Sequence, residues 1–278
     1  FSFGINSSLN RFNKNVNSAF GIESYLNNTF EKINLDYSSI NTKVFLQTVF
    51  FRKFNIGGGF EFQNLVLKSD NLTKANKTIE NSNYLSLNGY LNHDTFDNKY
   101  FPKKGWYLKS NFNYYFSSSD YTNQFSKFSI SKTDLGIAIA PIKNFSFVLK
   151  NEIGFKIGHS TLPYFDFALG GTGFKETNNI SSFYGYDFLS ISGNSYIKSS
   201  GTFDYEFYKK NHINLTYNAS IVGDFIFNAT KTWFNKPTYT GFGLGYGLET
   251  LIGPIEIKYT WSPETNFSAF WVNLGFVF

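Results

Sequence analysis

The sequence predicts an all-β protein that crosses a membrane as an antiparallel β-barrel of the outer-membrane type, with about thirteen strands in this chain of roughly sixteen expected. Three observations predict it. Segment after segment alternates apolar with polar residues. Aromatic residues make up 21% of the chain, yet the mean hydropathy is −0.25. Short and long connections also alternate along the chain, the layout of outer-membrane barrels, whose short turns are periplasmic. A helical membrane protein would need about 18 or more consecutive apolar residues per span, and no such run occurs. Alternation matters because successive strand side chains point to opposite faces. In lipid every backbone N–H and C=O must also be paired within the protein, which only helices and closed barrels achieve.

From the N-terminus, tight turns are expected at Asn13-Lys14-Asn15 and at Lys53-Phe54-Asn55, with a long polar stretch around Asn27-Asn28 between them. Gly57-Gly58-Gly59 runs into Phe60 and Phe62 within a strand pattern, which argues against a phosphate-binding loop. A polar stretch over 69–83 follows, and then a turn over 94–105 containing Pro102 and Gly105, both turn formers. After the polar stretch 117–123, the apolar parity of 128–139 switches from even (Phe128, Ile130) to odd (Leu135, Ile137, Ile139). A one-residue slip reverses every side chain, so a β-bulge is expected near Lys132-Thr133.

Pro141-Ile142-Lys143 is the next tight turn, and 158–191 is the longest loop, well beyond the ~15 residues of an ordinary connector. After Lys209-Lys210-Asn211, Ile213, Leu215, Tyr217 and Ile221 alternate with Asn214, Thr216, Asn218 and Ser220. Beyond the stretch 225–239, Phe242, Leu244, Tyr246 and Leu248 alternate with Gly241, Gly243, Gly245 and Gly247. That glycine stripe permits either tight strand curvature or a seat for something folded against it, the longest loop being the candidate. The Gly253-Pro254 turn leads into Ile255, Ile257, Tyr259 and Trp261, which alternate with Glu256, Lys258 and Thr260. After 262–267 the last strand sets Phe270, Val272, Leu274, Phe276 and Phe278 on one parity and Asn273 and Gly275 on the other. Its terminal aromatic is the closing signal of an outer-membrane barrel. These six short and six long connections divide the chain into about thirteen strands, an odd number where single-chain bacterial barrels have even ones. With no methionine at its start, the chain is expected to be a single barrel domain over 1–278 that lacks its N-terminal strands.

Composition excludes several functions. The absence of cysteine removes disulfides, thiolate metal sites and cysteine nucleophiles. His93, His159 and His212 are scattered without metal-ligand spacing and are expected in loops or turns. The net charge of +5 is carried by dispersed lysines, with Arg11 and Arg52 the only arginines, so nucleic-acid binding is not expected. Neither a cofactor nor a metal is expected. Asp204 and Glu206 share the polar face of one strand and are expected to pair with lysines there rather than form an acid/base couple.

The loop 158–191 carries Leu169-Gly170-Gly171 and then Phe183-Tyr184-Gly185-Tyr186, and five strands follow it. Three strands earlier, the turn over 94–105 contains Phe101-Pro102-Lys103-Lys104-Gly105. In this order and spacing, residues 83–278 resemble the barrel of the bacterial surface antigen superfamily, which includes BamA, TamA, two-partner secretion transporters and patatin-linked barrels. The resemblance implies that Gly170, Gly171, Phe183, Tyr184, Gly185 and Tyr186 belong to a loop folded back into the lumen. It also implies that Phe101, Pro102 and Gly105 form a periplasmic turn. BamA, TamA and the secretion transporters carry an arginine at the loop tip, bonded to an acid on the wall, whereas this tip reads Tyr184-Gly185-Tyr186. The closing strands over 245–265 look most like those of patatin-like phospholipases from Bacteroidetes-type bacteria, in which a patatin domain precedes the barrel.

The resemblance therefore implies an outer-membrane barrel of a Gram-negative bacterium that anchors or translocates a patatin-like lipase domain. A BamA/TamA-type insertion or translocation barrel is the alternative, and a passive porin the second. The implied partners are the outer-membrane bilayer, the barrel-assembly machinery and other outer-membrane proteins. No Gly-x-Ser-x-Gly elbow occurs; at Gly158-His159-Ser160 the second glycine position is Leu162. Any acyl hydrolase activity is thus expected in a domain outside this chain. The loop aromatics, Phe165, Phe167 and Phe174 among them, would expose much apolar surface in water, and burial is worth roughly 25 cal/mol per Å². Phe183, Tyr184 and Tyr186 are accordingly expected against the closing strands, with ring packing and hydroxyl hydrogen bonds in place of the family's ion pair.

Overall fold

In the computed structural model, residues 1–17, 32–51, 53–69, 78–121, 123–158, 163–174, 176–223, 233 and 236–275 are described. They contain fifteen strands. The first seven are β1 (Ser2–Asn17), β2 (Lys32–Phe50), β3 (Phe54–Ser69), β4 (Thr78–Asp94), β5 (Gly105–Ser118), β6 (Phe128–Ile142) and β7 (Phe145–Ile157). Three short strands come next: β8 (Phe167–Leu169), β9 (Ile180–Ser181) and β10 (Ile191–Gly193). The last five are β11 (Ser195–Tyr208), β12 (Asn211–Gly223), β13 (Tyr239–Thr250), β14 (Gly253–Trp261) and β15 (Ser268–Leu274). Twelve of these follow one another in chain order in an antiparallel sheet, and β10-β8-β9 form a small sheet inside the loop between β7 and β11.

Contacts divide the chain into two compact units. The first contains Phe1–Asn92, Ser110–Ser131 and Lys156–Asp166. Here β1 and β2 pair without a break from Ser2↔Gln47 to Asn17↔Lys32, so Asn13, Lys14 and Asn15 lie within a strand, opposite Asp36, Leu35 and Asn34. The turn expected at that place is absent; polar residues signal a turn only where the ladder stops, and here it continues. The stretch around Asn27-Asn28 lies outside the described residues.

An aromatic cluster lies buried in this unit. Phe165, in a 3-10 turn over Pro163–Phe165, packs among Tyr84, Tyr115 and Phe128 with ring centroids 5.1, 5.0 and 4.8 Å away. Tyr164 stacks on Tyr37 at 5.2 Å, their hydroxyls 2.6 Å apart. This cluster accounts for the parity that suggested a bulge near Lys132-Thr133. Burial on β6 stays on even positions from Phe128 through Ile130, Lys132 and Gly136 to Ala138, while Leu135, Ile137 and Ile139 are exposed. Phe128 faces inward with the polar set because Phe165 covers it, and Ile130 is buried on the same face, so no parity switch is needed.

The second unit contains His93–Lys109, Lys132–Phe155 and Phe167–Phe278. Its strands pair in the antiparallel order β7-β11-β12-β13-β14-β15. Their burial is inverted relative to a protein in water. On β12, Thr216 is 3% exposed and Leu215 45%. Leu135, Ile137 and Ile139 of β6, Phe203, Tyr205 and Phe207 of β11, and Phe270, Val272 and Leu274 of β15 all lie exposed, while Lys132, Glu152, Lys198, Asp204 and Asn214 are buried. Apolar side chains outward and charged ones inward is the arrangement of a transmembrane barrel strand.

Two histidines depart from their expected places in loops. His93 lies in β4, buried against Trp106 with ring centroids 4.1 Å apart, and His212 lies in β12 at 1% exposure. His159 lies outside the described residues.

Candidate functional site

Two structures dock on the polar face of the second unit, and the glycine stripe of β13 receives both. The first is the loop that connects β7 to β11. Gly170-Gly171 holds its tip: the Gly171 N–H donates to the Tyr186 carbonyl at 3.0 Å, and the Phe183 N–H donates to the Gly171 carbonyl at 2.9 Å. Tyr184 then lies on Gly241 and Gly243, where any β-carbon would meet its carbonyl or its ring. Its backbone N–H donates to Asn218 Oδ1 at 2.9 Å. Lys258 Nζ donates to the Tyr184 hydroxyl at 3.2 Å and sits 5.0 Å from its ring centroid. Gly185 has φ +80° and presses so closely on the backbone of Trp261 and Ser262 that a side chain there would overlap it.

Tyr186 donates its hydroxyl to Glu264 Oε2 at 2.6 Å and accepts from Ser262 Oγ at 3.3 Å. Phe183 is 1% exposed, its ring 5.4 Å from that of Tyr186. Ring packing and hydroxyl hydrogen bonds therefore stand at this tip.

The second docked structure is the turn over 94–105. Asn98 Oδ1 accepts the N–H groups of Tyr100 and Phe101 at 2.9 and 3.1 Å, and Asp97 Oδ1 those of Lys103 and Lys104 at 2.9 and 3.1 Å. Burial alone would raise the Asp97 carboxyl, but those backbone donors hold it below the usual carboxylate range. Gly105, at φ +107°, closes the turn where a β-carbon would strike the Thr95 carbonyl. Phe101 covers Gly247 and stacks on His212 at 4.0 Å, and His212 Nδ1 in turn lies 2.8 Å from Asp204 Oδ2. Pro102 is buried beside it. Lys103 reaches Glu206 at 2.5 Å, which raises the lysine, and Asn98 Nδ2 donates to Glu249 Oε1 at 2.9 Å. A polar cavity of about 450 Å³ adjoins both docked structures; Asp94, Lys109, Asp134, Lys150, Thr202 and Thr216 are among its lining.

Of the expected closing-signal residues, Asn273 pairs with Glu256 in β15, and the Gly275 N–H donates to the Pro254 carbonyl at 2.9 Å. Phe276 and Phe278 lie outside the described residues. Sequence reasoning missed the roles of Lys258, Glu264, Asn218 and His212. For Lys258 a signal existed, since it pairs opposite Gly245 in the strand next to the glycine stripe. Asp204 was expected to pair with a lysine and pairs with His212 instead.

A sequence profile of the OMP85 superfamily matches residues 1–278. The chain belongs to the OMP85 superfamily. As a member it is an outer-membrane β-barrel, in agreement with its exposed apolar and buried polar strand faces. Among solved structures, the chain is similar to BamA from Haemophilus ducreyi lacking POTRA domains 1–3, with a TM-score of 0.65 at 11% identity. That match covers 98% of this chain and 57% of the BamA chain, so the OMP85 barrel described here spans little more than half of its relative. A search of curated protein sequences finds no match.

The tip carries a pH dependence. Burial would raise the Glu264 carboxyl, but donors from Thr240, Tyr186 and Ser262 hold it below the usual range. A carboxyl depressed on docking stabilises the docked state fully above its ordinary pKa, and that contribution is lost as pH falls through the lower, folded value. Because Glu264 is exposed the contribution is small, and conductance of the protein in planar bilayers is expected to rise only modestly as pH falls from about 5 to about 3. A Glu264→Gln variant should respond less steeply over the same range, and an identical response would remove Glu264 from the account.

Proposed function

We propose that this barrel is the membrane anchor and translocator domain of a patatin-like phospholipase family protein, its lumen occupied by the loop between β7 and β11. The single observation that carries the proposal is the chemistry of the loop tip. Tyr184 and Tyr186 are held by Lys258 and Glu264, with no arginine at the tip. This supports a loop that stays docked while lacking the residue that BamA, TamA and the secretion transporters share. The closing strands over 245–265, which look like those of patatin-like phospholipases, support the same reading. An open passive porin is disfavoured by the two structures docked on the polar face of the second unit.

Depletion of the protein in its host tests the proposal. Loss of acyl-ester hydrolysis from the outer membrane, with other outer-membrane proteins at normal levels, is the expected result. Loss of those other proteins from the membrane would replace it with the insertion-barrel reading, which the fold shared with BamA favours. The cargo domain, the barrel-assembly machinery as a partner and a Gram-negative host all belong to this proposal.

A further inference from the structure

A cluster of charged side chains lies under the stem of the docked loop, apart from its tip. Lys132 of β6, Glu152 of β7 and Lys198 of β11 are 4%, 7% and 5% exposed. Glu152 is paired with Lys198, lies 3.5 Å from Lys132, and accepts the Tyr196 hydroxyl at 3.0 Å. The loop completes the cluster. Ser181 donates its hydroxyl to Glu152, and Lys198 Nζ donates to Ser181 Oγ at 3.1 Å and to the Ser182 carbonyl at 2.9 Å. Glu176 of the loop lies 3.7 Å from Lys132 and accepts the Ser182 N–H at 2.8 Å.

We propose that this stem clamp holds the loop on the barrel wall, with Lys132, Glu152 and Lys198 as its positioning residues and the tip contacts secondary. The physical reason is desolvation. A buried charge needs its partners, because losing one leaves the other uncompensated in a low-dielectric site. Removing the loop would strip Lys198 of two acceptors and Glu152 of one donor while both stay in the wall. The tip contacts include Glu264, which is exposed, and an ion or hydrogen bond open to water contributes little. Tyr196, fully buried beneath Phe167 at 5.0 Å, supports the clamp from the wall side.

Because the chain has no cysteine, a single engineered thiol reports on undocking. Ala168 in β8 is 1% exposed and is not one of the clamp residues, so Ala168→Cys supplies the reporter. In outer-membrane vesicles, maleimide labelling of that thiol should accelerate about tenfold or more with Glu152→Gln or Lys198→Met, as expected when a buried charge loses its partner. The pair Tyr184→Phe and Tyr186→Phe should accelerate it less. An unchanged rate with Glu152→Gln, or a larger effect from the tip pair, overturns the proposal. Where a wall variant fails to reach the membrane, Ser181→Ala with Glu176→Gln is read instead on the loop side. Acceleration there supports the clamp, and the reporter's own rate overturns it. The readout is independent of any acyl hydrolase activity, so it stands or falls separately from the proposed function.

Discussion

Deleting residues 183–186 should raise the conductance of this protein in planar bilayers severalfold. The deletion removes Tyr184 from Gly241 and Gly243, frees Lys258, and breaks the Tyr186–Glu264 hydrogen bond. It thereby opens the polar cavity of about 450 Å³ that Phe183 and Tyr184 line. A milder variant acts from the other side. Gly241→Leu should expel the same tip, because any β-carbon at Gly241 already overlaps the Tyr184 carbonyl. Both variants should therefore conduct more than the parent. Conductance unchanged in both would mean that the loop tip does not obstruct the path.

Leu244→Arg is expected to destabilise the barrel in lipid by about 2–4 kcal/mol, the cost of a cation on the lipid face near the bilayer midplane. Leu244 sits in the middle of β13 with 49% of its surface exposed, beside Leu215 across the ladder. Thr202 faces the other way, lines the cavity and shares a 3.0 Å hydroxyl contact with Thr216. Thr202→Asn should then cost less than about 1 kcal/mol, since that face meets water and polar groups. Denaturant titration of folding into phospholipid vesicles measures both. Equal costs for the two variants would contradict the assignment of the faces.

Strand existence and facing were legible in the sequence because both follow from a local backbone rule. Side chains alternate with period two, so Leu215 against Thr216, or Phe270 against Asn273, already sorts lipid face from polar face. The loop was legible for a similar reason: its length and its rings, Phe165, Phe183 and Tyr186 among them, made exposure to water costly, and these rings are buried. Glycine at 185 and along 241–247 likewise signalled close approach, though not that Phe101 would share the stripe with Tyr184.

What only the tertiary structure decided depends on which distant residues meet. Parity showed two faces but not that Phe165 covers Phe128 on the inner one, so a switch of facing was expected that the burial of β6 does not show. Turn-type residues at Asn13-Lys14-Asn15 could not reveal a ladder with β2 that carries the chain past them. His212 carried no sign that Phe101, more than a hundred residues away, would stack on it and that Asp204 would hold it. The clamp of Lys132, Glu152 and Lys198 on the loop was equally hidden. A charge on a polar strand face suits open water and a buried pair alike, and only the neighbouring strands and the docked loop determine which of the two it meets.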